Sequence, residues 1–224
     1  MIEHDIQRES LWSPRLDATL SHLDAIACLP TLTEKRQALL KELSRHSPLT
    51  YDHVMTVKTV ATDLMEVAGI VSPVFVVGAE QHDIGKLLVP DHILSRPSNA
   101  YVTASEMRHL WYHPAFSRDI ALFVGFDLTT ADLLRFHHAD FESIKQRKDL
   151  YHGDICLPSL LRLADSIAAA LDMHRRYQGQ QTLRQILIDI RDKLLSGRIQ
   201  TSLFPIYQTY MRERSIPNLD AIPL

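Results

Sequence analysis

Hydrophobic positions recur at intervals of three and four along most of this chain, and strict alternation is nearly absent. That periodicity predicts helices and an all-α fold. Two helices are expected over 15–28 and 34–46, broken near "LPTLT". The stretch "SPLTYDHVMTVKTVATDLMEVAG" (47–69) puts Val54, Val57, Val60, Ala61 and Leu64 on one stripe and ends on Gly69, a residue suited to a helix C-cap. "SPVFVVGAEQHD" (72–83) opens with Ser then Pro, a helix-start signal. Its Val-rich run would also suit a strand, but no partner strand is evident. Gly85 is expected to stop this helix, and "PDHILSRPSN" reads as loop with a short turn. Further helices are expected at 103–111, 114–123, 129–139, 157–176, 181–195 and 200–212. There is no internal repeat and no low-complexity segment.

Composition narrows the class. The 224 residues are 46% hydrophobic, enough for a real core. A net charge of −3 gives no basic footprint for a nucleic-acid polymer. The clusters "KQRK" (145–148) and "MRER" (211–214) read as solvated helix faces. Cys28 and Cys156 are far apart and form no C-x-x-C pair, which argues against a thiolate site or a disulfide framework. Both are expected to be small core residues. The start, "MIEHDIQRES", leads into no signal-peptide core, and the longest apolar run, "VFVVGA", is too short to span a bilayer. A cytoplasmic location and no membrane partner are expected. Residues 1–46 carry none of the chemistry below and read as an N-terminal helical appendage to a domain over 47–224.

That chemistry lies in the histidines, of which there are 12. His53 lies on the 47–69 helix, and His82-Asp83 ends the next. His113 precedes Pro114, where a helix is expected to begin. His137 and His138 are adjacent near a helix end, and Asp165 lies inside the apolar run "LPSLLRLADSIAAALDM". Singly, each has an ordinary structural explanation, and Asp165 alone would suit a core carboxylate paired with Arg162 or Lys86. Together, imidazoles and carboxylates suit a divalent transition metal. Adjacent residues on a helix point about 100° apart, so His137 and His138 are not expected to chelate one ion together. Seven candidate ligands exceed what one ion with open positions needs. The count favours two ions, the arrangement used for in-line displacement at phosphorus.

These residues resemble the HD superfamily of metal-dependent phosphohydrolases, and within it the HD-GYP branch. The order His53, His82-Asp83 in "HDIGK", His113 in "HP", His137-His138 and Asp165 in "RLAD" follows that branch. "HDIGKLLVPDHIL" is close to the family's own segment, and "RRY" (175–177) resembles its Arg-Pro-Tyr. The resemblance spans roughly 47–195. It implies one metal site from His53, His82, Asp83 and Asp165, and a second completed by His113, His137 and His138, with Asp83 bridging. It implies two divalent ions, iron or manganese first, zinc or nickel otherwise. Asp83 and Lys86 would be catalytic, with Lys86 and Arg175 contacting substrate phosphate. The implied activity is hydrolysis of cyclic di-GMP, and the implied partners are that dinucleotide and a signalling protein.

The chain departs from the branch in two places. After the paired histidines the text is "HHADFESIKQRKDLYHGD", with Ala139 where the family carries Glu and no Gly-Tyr-Pro. Leu49 stands one turn before His53, where trinuclear members carry a Glu ligand, so two ions are expected rather than three. The alternatives to a cyclic di-GMP phosphodiesterase are hydrolysis of another nucleotide or phosphate ester, and a weakly active nucleotide-binding signalling domain.

Overall fold

Helix starts in this chain are fixed by side chains that accept from otherwise unpaired backbone N–H groups. Thr31 and Thr103 each form a reciprocal box with the Glu three residues on. Ser47 accepts from the Thr50 N–H at 3.3 Å and Ser72 from the Phe75 N–H at 3.2 Å, each with Pro in the first turn. Gly69 adopts φ 65°, the left-handed conformation that ends the third helix.

The computed structural model describes residues 14–96, 102–171 and 183–214. Eleven α-helices lie in these ranges: α1 Pro14–Ala27, α2 Leu32–His46, α3 Pro48–Ala68, α4 Pro73–Gln81, α5 Asp91–Leu94, α6 Ala104–Val124, α7 Leu128–Phe136, α8 Phe141–Gln146, α9 Cys156–Leu171, α10 Leu183–Leu195 and α11 Phe204–Glu213. Short 3-10 helices cover Ile84–Leu88, Lys148–Leu150 and Thr201–Leu203. No strand occurs among the described residues, so the Val-rich run is helical. None of the described helices is long and apolar enough to cross a membrane.

Several expectations need correction. The helices expected at 103–111 and 114–123 are one, with Pro114 inside it. Gly85 stops nothing: α4 has already ended at Gln81, and Gly85 lies within the next 3-10 helix. Neither cysteine is a buried core residue, since Cys28 is exposed and Cys156 only half-buried. Helix α8 falls where no helix was expected.

The stripe Val57, Val60, Ala61 and Leu64 of α3 packs on Leu160, Leu161 and Ala164 of α9, with α10 and α11 completing that cluster. A second cluster joins Leu39 and Leu43 of α2, Val54 of α3, Ile84 and Leu87 of the 3-10 helix, and Ile120 of α6. Ser47 caps both α2 and α3, and the second cluster includes residues on either side of it. Helices α3, α4 and α7 contribute to both clusters through Val54, Val57, Val77, Ala79, Leu133 and Leu134, and they carry His53 or lead directly into His82 and His137.

Candidate metal centre

Three of the histidines are aimed by the same device. His82 follows the last residue of α4 and His137 the last residue of α7. Carbonyls in the last turn of a helix have no N–H partner within it. The His82 Nδ1 takes the Ala79 carbonyl at 3.0 Å, and the His137 Nδ1 takes the Leu134 carbonyl at 2.5 Å. His113 is in mid-helix, but Pro114 has no N–H to give the Leu110 carbonyl, and the His113 Nδ1 bonds that carbonyl instead. A carbonyl only accepts, so each Nδ1 carries a proton, and in the neutral ring the lone pair is then on Nε2. Metal-binding histidines are oriented in this way.

The lone pairs converge. Ligand atoms of His53, His82 and Asp83 lie within 4.8 Å of one another, and so do those of His113, His137 and His138. Asp83 stands between the two groups. Its Oδ1 is 3.2 Å from His113 Nε2 and its Oδ2 is 3.5 Å from His82 Nε2. Asp165 also spans them, with Oδ1 at 2.7 Å from His53 Nε2 and Oδ2 at 3.6 Å from His138 Nδ1. The expectation that His137 and His138 would diverge is corrected. Their ligand atoms fall in one group with that of His113, and the two rings lie 4.0 Å apart between centroids. All of the set is buried except His138, whose side chain is 43% exposed and opens the centre to solvent, and Asp165, at 13%.

These residues fit metal ions. The His82 Nε2 is buried with no hydrogen-bond partner. The Nε2 atoms of His113 and His137 face each other at 3.3 Å. Leaving such groups buried is costly, and cations bound by imidazole and carboxylate remove that cost.

The electrostatics of the site are set by burial and by the charges that face one another across it. Burial pushes the His137 pKa well below the ordinary value, reinforced by His138, His82 and His113. Burial works against the charged form of Asp83 as well, but Lys86 and His82 outweigh it and hold the carboxyl well below the usual range. Asp165 is held low in the same way, burial being overcome chiefly by the hydrogen bond from His53. His82 runs the other way: burial lowers its pKa, and Asp83 with Asp165 raises it above the ordinary value. The Lys86 Nζ lies 2.6 Å from Asp83 Oδ2, the buried cation nearest the shared carboxylate.

Several residues that build the centre were not singled out from the sequence. Ser117, one turn beyond His113, accepts from the Gly85 N–H at 2.8 Å and donates to the His82 carbonyl at 2.7 Å. This contact explains Gly85. A Cβ there would lie 2.0 Å from the His113 carbonyl oxygen and 2.5 Å from the Ser117 nitrogen. The Gly in "HDIGK" therefore lets the 3-10 helix lie directly against α6. Arg162 pairs with Asp140 at 2.6 Å and with the Ala139 carbonyl at 3.0 Å, bracing the chain just after His138 rather than Asp165. Asp132, buried in α7, holds Arg118 and His152 at 2.8 Å each. Serine and arginine at helical spacing from a ligand are the only sequence signals for these roles. Leu49, on α3 one turn before His53, is 45% exposed. Arg175 lies outside the described residues.

Comparison with known proteins places the chain. Residues 50–197, more than half of its length, match the HD domain. The chain belongs to the HD-domain family. A relative of this HD-domain protein is the 3'3'-cGAMP-specific phosphodiesterase 1 of Vibrio cholerae serotype O1, 26% identical over 125 residues. That match covers 56% of this chain and only 28% of the relative. Among solved structures, the HD domain of the L. monocytogenes phosphodiesterase PgpH in complex with cyclic-di-AMP superposes with a TM-score of 0.58 at 20% identity, covering 79% of this chain and 95% of that one. A second structure of the same HD domain gives a TM-score of 0.56 at 19% identity over 79% of this chain and 96% of that one. At these identities the likeness is one of fold.

Proposed function

We propose that this protein hydrolyses a phosphodiester bond of a cyclic dinucleotide at a centre of two divalent transition-metal ions. The ions are iron or manganese in the first instance, with zinc or nickel as alternatives. One would be held by His53, His82, Asp83 and Asp165, and the other by His113, His137 and His138, with Asp83 shared. The observation that carries the reading is Asp83, which turns one oxygen toward His113 at 3.2 Å and the other toward His82 at 3.5 Å. When bound, two such cations supply charge neutralisation for the phosphodiester and a water of lowered pKa.

The protein's own groups do the positioning. The carbonyls of Ala79, Leu110 and Leu134 hold the protons of His82, His113 and His137 on Nδ1, so Nε2 stays unprotonated on the side where the ions belong. Lys86 carries a compact charge on a flexible stem. It rests on Asp83 at 2.6 Å and is assigned to turn from that carboxylate to a phosphate oxygen. Arg175 is assigned to phosphate as well.

Two relatives, by their names, concern cyclic dinucleotides, 3'3'-cGAMP and cyclic-di-AMP. They support that substrate class, and the HD-GYP resemblance adds cyclic di-GMP as the first member to test. A second reading, hydrolysis of another nucleotide or phosphate ester, is favoured by the segment after His138. There Ala139 and α8 stand in place of the branch's Glu and Gly-Tyr-Pro loop. Misplacing a substrate by about 1 Å can cost on the order of a hundredfold in rate, so slow turnover of cyclic di-GMP is expected. The test is metal-loaded protein assayed against cyclic di-GMP, 3'3'-cGAMP, cyclic-di-AMP, a linear dinucleotide and an aryl phosphodiester. Metal-dependent hydrolysis of a cyclic dinucleotide, weakened by Lys86→Ala with metal content unchanged, is the predicted result. Hydrolysis of only the linear or aryl ester favours the second reading. Tight nucleotide binding without hydrolysis assigns the protein to sensing instead.

A further inference from the structure

The segment that carries His82, Asp83 and Lys86 is tied to α2 at both ends. At its start, the buried Glu80 accepts from Arg36 of α2, through Nε at 3.0 Å and through Nη2, and from Lys58 of α3 at 2.6 Å. Beside it, the Gln81 side-chain amide donates to the Arg36 carbonyl at 3.4 Å. At its end, the Val89 carbonyl accepts from His46 Nε2, the last residue of α2, at 2.7 Å. Between these ties Leu39 and Leu43 pack in one cluster with Ile84 and Leu87. Helix α2 lies outside residues 50–197, the part matched to the HD domain.

A buried ion triad is a weak way to add stability, because desolvation offsets most of the attraction. It is a good way to fix a position. Arg36 holds the Oε2 oxygen of Glu80 through two N–H groups and Lys58 holds Oε1, so each oxygen has its own partner and the carboxylate is fixed from two helices. Glu80 is not one of the candidate ligands, yet it is the next-to-last residue of α4, one turn ahead of Asp83.

We propose that Glu80, locked by Arg36 and Lys58, is a positioning residue for the His82–Asp83 pair, and that α2 thereby governs the metal centre from outside the family's shared region. The inference rests on the metal-centre reading. The test uses the full chain loaded with cobalt(II), whose visible absorption reports ligand geometry, with affinity measured by chelator competition and helix content by circular dichroism. Arg36→Ala is expected to keep its helix content, to weaken cobalt binding about tenfold and to change the absorption band. Arg36→Lys is expected to restore part of the affinity, and it stands in for the alanine variant if that one does not fold. Arg214→Ala, which breaks the ion pair between the residue after α11 and Asp63 of α3, is the control and is expected to leave cobalt binding unchanged. Unchanged affinity and spectrum in a folded Arg36 variant would overturn the inference, as would an equal loss in the Arg214 control. Wild type that binds no cobalt would remove the metal-centre reading itself, a result distinct from either.

Discussion

The His113 ring donates from Nδ1 to the carbonyl of Leu110, one turn back on the same helix. Pro114 is what leaves that carbonyl available, because proline has no N–H to donate. The sequence pair His-Pro therefore aims a ligand instead of starting a helix. Pro114→Ala should restore a backbone donor that competes for the Leu110 carbonyl. The variant is expected to be more stable, by up to about 3 kcal/mol, the usual cost of proline inside a helix. It is also expected to bind metal several-fold more weakly. Thermal denaturation of the metal-free protein and metal affinity of the folded protein measure the two effects, and the account requires them to move in opposite directions.

Gly85→Ala tests the contact between the 3-10 helix and α6. The new Cβ would meet backbone atoms of His113 and Ser117, which do not yield as a flexible side chain would. A destabilisation of about 3 kcal/mol or more is expected, with loss of metal from whatever remains folded. Ser117→Ala removes the acceptor of the buried Gly85 N–H and should cost about 1–3 kcal/mol. Urea denaturation of both variants checks the ordering, and a neutral Gly85→Ala would mean the two elements are not in contact.

Much of the centre was legible because covalent neighbours announced it: His82 with Asp83, and His137 with His138. Helical periodicity then put His53 and Asp165 on apolar helices. Legibility failed where the deciding partner lies far along the chain. Gly85 looked like a helix stop because its constraint comes from α6. Pro114 looked like a helix start because the rule for proline ignores a side chain that adopts the orphan carbonyl. His137 and His138 seemed to diverge because neighbouring helical residues point about 100° apart, yet long side chains bring both ligand atoms into one group with that of His113. Glu80 gave no sign of its role, since Arg36 and Lys58 approach it from two other helices.

Glu80 gives a pH dependence of stability. Burial favours its neutral form, but Lys58 and Arg36 outweigh burial and lower its pKa below the ordinary 4.5. A carboxylate with a depressed folded pKa stabilises above its unfolded value and loses that contribution as pH falls through the folded value. Glu80→Gln should therefore cost on the order of 3 kcal/mol near pH 7, and the difference from wild type should shrink below pH 4.5. Chemical denaturation of both proteins across that range measures it. A gap that widens on acidification would reverse the assigned sign.

Leu49 is one turn from His53 and partly exposed, so its replacement by Glu brings a carboxylate to the same helix face. Leu49→Glu is expected to raise the metal content by one ion per chain. Content unchanged, with helicity intact, would place that residue away from the centre.

The shared role of Asp83 is the central claim, and elemental analysis of protein prepared without chelator, with iron and manganese supplied, tests it most directly. The account predicts two ions per chain in wild type and loss of most of both in Asp83→Ala, because one carboxylate faces both histidine groups. Wild type without stoichiometric metal, or a folded Asp83→Ala that keeps both ions, would contradict it.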